Sequence, residues 1–88
     1  MAKPDLELVK RPSPTVGRTV LFTSSMEGET GVNGGEVPAI ITRVWSDDCV
    51  NLMVMRDGPG ETPHGVTSVM HRDVAHGMDR GWRWPDIR

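Results

Sequence analysis

The sequence is short of cysteine, of aromatic residues and of positive charge, and each shortage excludes a class of protein. Its 88 residues hold one cysteine, Cys49, no tyrosine and one phenylalanine. A single cysteine excludes a disulfide framework within the chain and a zinc site of the clustered-cysteine type, and it fits a reducing cytoplasm. The net charge is −2 and the pI is about 5.8, whereas proteins that grip duplex DNA carry a strong positive excess. We therefore expect no duplex nucleic acid as a partner.

Long apolar runs are also missing. No run approaches the ~18 residues of a transmembrane candidate, and the N-terminal stretch MAKPDLELVKRPSP lacks the apolar centre of a secretory signal. We expect a cytoplasmic protein without a membrane partner. A chain of this length forms one domain with a thin core, burying ~60–65% of its unfolded surface, so assembly into a homo-oligomer is expected as well.

What the chain does contain is a series of short segments rich in β-branched residues, separated by polar or glycine-rich turns. This pattern predicts five strands, near residues 17–24, 38–45, 49–55, 66–71 and 82–84. In the third of these, alternation predicts that Val50, Leu52 and Val54 share one face. The predicted fold is all-β, a small five-stranded antiparallel barrel, SH3-like or OB-like, that spans residues 17–88.

Three other segments are less regular. The proline-rich residues 1–16 predict a flexible N-terminal arm; alternatively, the apolar residues 6–9 add an edge strand to a neighbouring molecule. The glycine-rich residues 24–36 predict a long loop that could act as a lid. Residues 72–81 could hold a short turn of helix.

Catalytic chemistry has little support in this sequence. Cys49 lies among strand formers and is better explained as a structural thiol than as a nucleophile. The histidine pair His71 and His76 could ligate a metal only if the chain between them were helical. Asp47 and Asp48 are typical of a turn, and the glycine-rich stretches lack the strand–loop–helix context of a phosphate-binding loop. We predict no enzyme, no metal and no cofactor.

Binding has more support, from residues 38–55, which read PAIITRVWSDDCVNLMVM. Trp45 ends a strand beside a turn, with Arg43 on the same face, and such a pair suits flat π surfaces such as bases, or a protein interface. Arg43 could equally be a solvated sheet residue. Asn51 could read a base edge or tie down the turn. Phe22 and Trp84 are candidates for either the core or the site.

The ordered set of GRTV, EVPAIITRVWSDDCVNLMVM, GVTSV and the terminal GWRWP resembles a widespread family of very small tailed-phage proteins. Its members read Gly-Arg-Ile-Val-His-Tyr, Pro-Ala-Ile-Val-Thr-x-Val, a polar turn, Val-Asn-Leu-x-Val-Phe, Val-Thr-Ser-Val and Trp-His-Trp-Pro. The resemblance covers residues 17–85. In this chain the family's His-Tyr is Leu21 and Phe22, and the histidine between the last tryptophans is Arg83, a possible phosphate partner.

The resemblance implies a link to viral anti-CBASS sponges, which are small homo-oligomeric phage proteins that sequester cyclic di- or oligonucleotide immune signals in the cytoplasm of the infected bacterium. It implies ligand binding without catalysis, in pockets shared between protomers. The predicted ligand-binding residues, from the resemblance and the residue chemistry together, are Arg18, Phe22, Thr42, Arg43, Trp45, Asn51, Thr67, Ser68, Trp82, Arg83 and Trp84.

Two other classes stay open. One is a phage structural or adaptor protein, or a module that binds a host protein, in which the same tryptophans and methionines form only protein interfaces. The other is a nucleic-acid-binding barrel, which the acidic pI disfavours.

Overall fold

A computed structural model of the chain describes residues 12–86, which form a single antiparallel sheet of five strands. The strands are β1 Thr19–Ser24, β2 Val37–Val44, β3 Cys49–Val54, β4 His64–Met70 and β5 Arg80–Arg83. They lie in the order β4-β3-β2-β1-β5. The sheet curls into a half-barrel, and the backbone N–H of Arg72, just after β4, donates to the carbonyl of Trp82 in β5 (2.8 Å). The predicted all-β, five-stranded fold is confirmed.

The core lies inside the curl and is built by strand alternation. Val50, Leu52 and Val54, which alternation predicted to share one face of β3, are all buried. The cluster contains six valines and two aromatic rings, Phe22 and Trp82. The complete set is Val20, Phe22, Val37, Ala39, Ile41, Val50, Leu52, Val54, Val66, Val69 and Trp82.

Two bulges interrupt the central ladder on either side of the same residue. Between β2 and β3 the register shifts so that Thr42 is an extra residue between the pairs Ile41–Leu52 and Arg43–Asn51. Between β3 and β4 it shifts again, and Thr67 and Ser68 together lie opposite Asn51. A bulge bends its strand, strengthens the local twist and re-aims side chains. Asn51 therefore lies at the most distorted point of the sheet.

The packed domain begins earlier than predicted. Pro14 is buried, and the carbonyl of Thr15 accepts a hydrogen bond from the N–H of Arg18 (3.2 Å). Residues 12–16 are therefore part of the fold rather than of a flexible arm. Residues 1–11, which hold the rest of the predicted arm, and residues 87–88 lie outside the described part.

The glycine-rich loop of residues 24–36 is fastened to the loop that follows β3. The N–H of Asp57 donates to Thr30 (2.9 Å), and the N–H of Asn33 donates back to the Asp57 carbonyl (3.1 Å). The N–H of Val32 donates to the Glu61 carboxylate (2.9 Å). This network holds the loop against its neighbour, so the lid interpretation finds no support in its contacts.

Residues 71–79 form a succession of tight turns and not the helical turn that the sequence allowed. The N–H of Val74 donates to the carbonyl of His71, and that of Met78 to Ala75, each spanning three residues. Within residues 12–86 no helix has the length and apolar content needed to cross a membrane.

Glu29 joins the glycine-rich loop to β5. Its side chain is nearly buried and forms a bidentate ion pair with Arg80. The Ser24 hydroxyl donates to the same carboxylate (2.7 Å). His64 of β4 lies 3.8 Å from it. The Arg80 hydrogen bond, more than any other contact, lowers the pKa of Glu29 below its ordinary value of 4.5.

This pKa makes acid sensitivity the expected behaviour of the fold. Because the folded state favours the ionised form of Glu29, its stabilising contribution is present above pH 4.5 and is lost as pH falls through the lower, folded pKa. We expect Glu29→Gln to lower the free energy of unfolding by ~1–3 kcal/mol at pH 7. Between pH 5 and 3, the stability of the variant should fall less than that of the wild type. Urea unfolding across that range measures both effects.

The matched control is Glu36→Gln, which neutralises a more exposed carboxylate whose pKa is also lowered, by Arg83. It should cost less at pH 7, because exposed ion pairs contribute little. Identical pH profiles for wild type and Glu29→Gln would show that the Glu29–Arg80 pair does not couple to folding.

Candidate functional site

Six of the eleven predicted site residues meet on the outer face of β2, β3 and β4. We call this group the Trp45 cluster; it consists of Thr42, Arg43, Trp45, Asn51, Thr67 and Ser68. Arg43 and Trp45 alternate with the inward-packed Val44, so both side chains lie on the outer face, as predicted. The guanidinium carbon of Arg43 is 4.2 Å from the Trp45 ring centroid, and Trp45 remains 54% exposed.

Asn51 holds this cluster together. Its Oδ1 accepts a hydrogen bond from the Trp45 indole Nε1–H (2.8 Å) and another from the backbone N–H of Ser68 (2.8 Å). One side-chain oxygen thus ties the end of β2 to the bulge in β4. The sequence left two roles open for Asn51, which were to read a base edge or to tie down the turn, and the two hydrogen bonds that Oδ1 accepts fit the second role. The Nδ2 of Asn51 donates no hydrogen bond to residues 12–86.

Ser68 carries backbone strain at the same place. Its φ is 58°, the one positive φ of a non-glycine residue in the described part of the chain. Such a conformation costs an L-residue ~1–2 kcal/mol and persists where surrounding contacts determine it; strained residues concentrate at functional sites. The Asn51 hydrogen bond to the Ser68 N–H is such a contact.

The arginines divide into paired and unpaired cations. Arg56, Arg80 and Arg83 each lie within ion-pair distance of a glutamate. Arg18 and Arg43 have no carboxylate partner among residues 12–86; instead each lies over a tryptophan ring, Arg18 over Trp84 at 5.0 Å and Arg43 over Trp45 at 4.2 Å. Arg72 also has no carboxylate within ion-pair distance in residues 12–86, so Arg18 and Arg43 are two of three such arginines. They are the two that lie next to a π surface.

Arg18 and Trp84 form a second group of side chains, separate from the Trp45 cluster. Trp84 follows β5, and in the sheet order β1 lies between β5 and the strands of the Trp45 cluster. Together with Pro12 they line a groove of about 230 Å³. The Trp84 Nε1–H is buried and has no hydrogen-bond partner in the described residues.

Phe22 and Trp82 belong to the core, which removes them from any exposed surface. Phe22 is 0% exposed and Trp82 is 1% exposed. The Trp82 Nε1–H donates to the carbonyl of Asp48 (3.0 Å), and its ring packs edge-on against His71 and Trp84, at centroid distances of 4.7 and 5.4 Å. Their prediction as ligand contacts is corrected: Phe22 of β1 and Trp82 of β5 are cross-strand partners, and the curl of the sheet turns this face of both strands inward.

Arg83 is also poorly placed as a free phosphate partner. Its guanidinium donates two hydrogen bonds to Glu36 (2.7 and 2.8 Å) and one to Asp86 (3.2 Å). Glu36 raises the pKa of Arg83 above its ordinary value. A phosphate would have to displace these carboxylates.

The residues weighed for catalysis are not assembled into a recognisable site. His71 is buried, and its Nδ1 accepts from the backbone N–H of Asp73 (3.0 Å). Cys49 starts β3, where its carbonyl accepts from Trp45 and Ser46. No group of three or more potential metal ligands comes together in residues 12–86.

Sequence reasoning missed the Glu29–Arg80 pair and the double bulge. Glu29 lies in a glycine-rich loop 51 residues from Arg80, a separation at which no local pattern exists. A signal for the bulges does exist: Thr42 lies between buried Ile41 and outward Arg43, and Thr67 with Ser68 separates buried Val66 from Val69. Each spacing departs from strict alternation.

Comparison with known proteins adds no relative to this description. A scan against protein-family models and searches of curated proteins and of solved structures each find no match to the chain.

Proposed function

We propose that the protein binds a cyclic di- or oligonucleotide at the Trp45 cluster and sequesters it without catalysis. One observation supports this most strongly: an exposed tryptophan ring, fixed through its Nε1–H, lies against an arginine that has no carboxylate partner in the described residues. A fixed ring and an unneutralised cation are together suited to a ligand that has both flat rings and negative charge.

The chemistry of a cyclic nucleotide matches these groups. Its bases offer π faces that stack on aromatic rings, at ~1–3 kcal/mol for each base. Its phosphates accept charge-assisted hydrogen bonds from a guanidinium, which are stronger than neutral ones. The hydroxyls of Thr42, Thr67 and Ser68, all in exposed residues, add adaptable donors and acceptors.

A pocket shared between two copies of the chain is part of the proposal. The groove that Ser68 of the cluster lines has a volume of about 210 Å³, below the ~300–1,000 Å³ of typical ligand sites. A second copy could supply the missing wall. Apolar side chains suited to such a contact lie next to the cluster: Ile40 pairs across the sheet with Met53, and both are exposed.

The biological setting comes from the resemblance to small tailed-phage proteins. Sequestration of a cyclic nucleotide immune signal, in the cytoplasm of an infected bacterium, requires high affinity and no turnover. A ring held by a hydrogen bond and a cation that lies against that ring supply affinity, and the cluster has no nucleophile activated by a base. Anti-CBASS activity as a sponge is the role we propose on this basis.

A thermal-shift screen tests the proposal directly. Purified protein is heated with cyclic di- and trinucleotides and with cyclic ADP-ribose isomers. A ligand at ~100 times its dissociation constant adds ~2.7 kcal/mol to the folded state, which is a visible shift. If none of these ligands moves the melting temperature of the folded protein, the proposal is wrong.

Variants of the cluster locate the site. We expect Trp45→Ala and Arg43→Ala each to weaken binding of the ligand found in the screen by roughly 5- to 150-fold, because each removes ~1–3 kcal/mol of stacking or charge-assisted bonding. Isothermal titration calorimetry measures the change.

Arg72→Ala is the matched control, since it removes an exposed arginine in the turns after β4. It should bind as wild type does. Equal weakening in Arg43→Ala and Arg72→Ala would indicate general charge attraction instead of a site at the cluster.

A second candidate function has its own supporting observation. Ile40, Met53 and Met55 are about 40% exposed and neighbour one another on the outer face; such a row suits a phage structural partner or a host protein. This candidate predicts a stable complex with that protein and no melting shift with nucleotides.

A further inference from the structure

We propose that the Trp45 cluster selects guanine over adenine, because the groups whose hydrogen-bonding character is fixed there are donors. This inference rests on the proposed function, and it adds the base preference of the same site. It follows from how Asn51 is oriented and from what Arg43 can offer.

The orientation of the Asn51 amide is locked by two donors. The Trp45 Nε1–H and the Ser68 backbone N–H both point at Oδ1, each at 2.8 Å. A flipped amide would place an NH₂ group against both N–H groups and lose both hydrogen bonds. The oxygen is therefore committed inside the cluster, and the Nδ2 is the amide group left to bind a ligand.

Arg43 adds donors of the same kind. A guanidinium has five N–H donors and no acceptor at any accessible pH. Arg43 is the cross-strand partner of Asn51 and has no carboxylate partner in residues 12–86. The indole N–H of Trp45 already donates to Asn51. The Nδ2 of Asn51 and the guanidinium of Arg43 are therefore the fixed donors beside the exposed ring.

The two purines differ on the edge that these donors would meet. Guanine presents two acceptors, O6 and N7, whereas adenine presents the N7 acceptor beside the N6 amino donor. Guanine can thus satisfy two donors at once, and adenine would place a donor against a donor. A good two-point contact discriminates between bases by roughly 5- to 150-fold.

Other polar groups nearby are either adaptable or outside the cluster. The hydroxyls of Thr42, Thr67 and Ser68 rotate between donating and accepting, so they do not discriminate by themselves. The nearest carboxylates along the chain are Asp47 and Asp48, in the turn after Trp45. Asp47 is the exposed one and could accept from adenine N6, so it enters the test as a control.

The first measurement compares cyclic di-GMP with cyclic di-AMP by titration calorimetry on wild-type protein. The two ligands carry the same charge, so their affinity ratio isolates the base. We expect cyclic di-GMP to bind at least fivefold more tightly. Equal affinity, or tighter binding of cyclic di-AMP, overturns the guanine preference and leaves the proposed function standing. Binding of neither, nor of any other cyclic nucleotide, overturns both.

Asn51→Asp tests the role of the amide. One carboxylate oxygen can keep both inward hydrogen bonds, while the outward group changes from a donor to an acceptor. The added negative charge weakens the binding of both ligands alike, so its effect cancels in the ratio of their affinities. We expect the ratio of guanine to adenine affinity to fall by about tenfold, whereas Asp47→Asn should leave it unchanged. A ratio unchanged in Asn51→Asp, with a melting temperature showing that the variant is folded, overturns the assignment to Asn51.

Discussion

Replacing Trp82 with alanine is expected to remove a large part of the free energy of unfolding of the protein. Trp82 is among the largest side chains fully buried in the half-barrel, and truncating a buried tryptophan typically costs ~3–5 kcal/mol. Its packing against His71 and Trp84 and its hydrogen bond to the Asp48 carbonyl disappear together. Small domains are stable by only ~5–15 kcal/mol in total, so one substitution removes much of that margin.

Urea unfolding followed by circular dichroism measures this loss. Trp82→Phe keeps most of the apolar volume and gives up the indole hydrogen bond, so it should lose clearly less stability than Trp82→Ala. Trp84→Ala is a useful comparison, because Trp84 is only half-buried and its Nε1–H has no partner in the described residues. If Trp84→Ala costs as much as Trp82→Ala, Trp82 is not the central core residue that its burial indicates.

The strand pattern carried enough information to predict the fold. Alternation in β3 predicted that Val50, Leu52 and Val54 share one face, and all three are buried. The reason is that a sheet with one buried face imposes a period of two on its strands. The turn composition at residues 46–48 was equally informative, since β2 and β3 pair directly across it.

The grouping of the candidate site was predictable only in part. Arg43 and Trp45 are two residues apart on one strand, and their shared face follows from that spacing alone. Trp82 and Trp84 obey the same rule, yet the sequence does not say which face of β5 turns inward. That depends on the direction in which the whole sheet curls, and it separates these tryptophans from the Trp45 cluster.

The contacts of the glycine-rich loop could not be predicted from local composition. A stretch with four glycines in residues 28–35 has the composition of an open loop. Its structure depends instead on hydrogen bonds to Asp57 and Glu61, more than twenty residues further along the chain. Glycine here permits a close approach of two backbones.

That close approach predicts a large effect for Gly31→Ala. A Cβ at position 31 would lie 2.2 Å from the Asp57 carbonyl oxygen and 2.5 Å from its nitrogen, and the φ of +99° is one that L side chains rarely adopt. The backbone of Asp57 cannot move aside without breaking its hydrogen bonds to Thr30 and Asn33. Strain of ~1–2 kcal/mol from φ and ~1–3 kcal/mol or more from overpacking predict a loss of roughly 2–5 kcal/mol in urea unfolding.

Gly28→Ala separates the two causes. Gly28 has a similar φ of +84°, but a Cβ there would meet no atom within 4 Å. This variant should therefore lose only the ~1–2 kcal/mol that the conformation costs. The Gly31→Ala variant should also shift the backbone NMR signals of Thr30, Asn33 and Asp57, while Gly28→Ala should leave that of Asp57 in place. Equal destabilisation by the two substitutions would mean that the loops are not in close contact in solution, and the fastening of residues 24–36 to the loop after β3 would have to be given up.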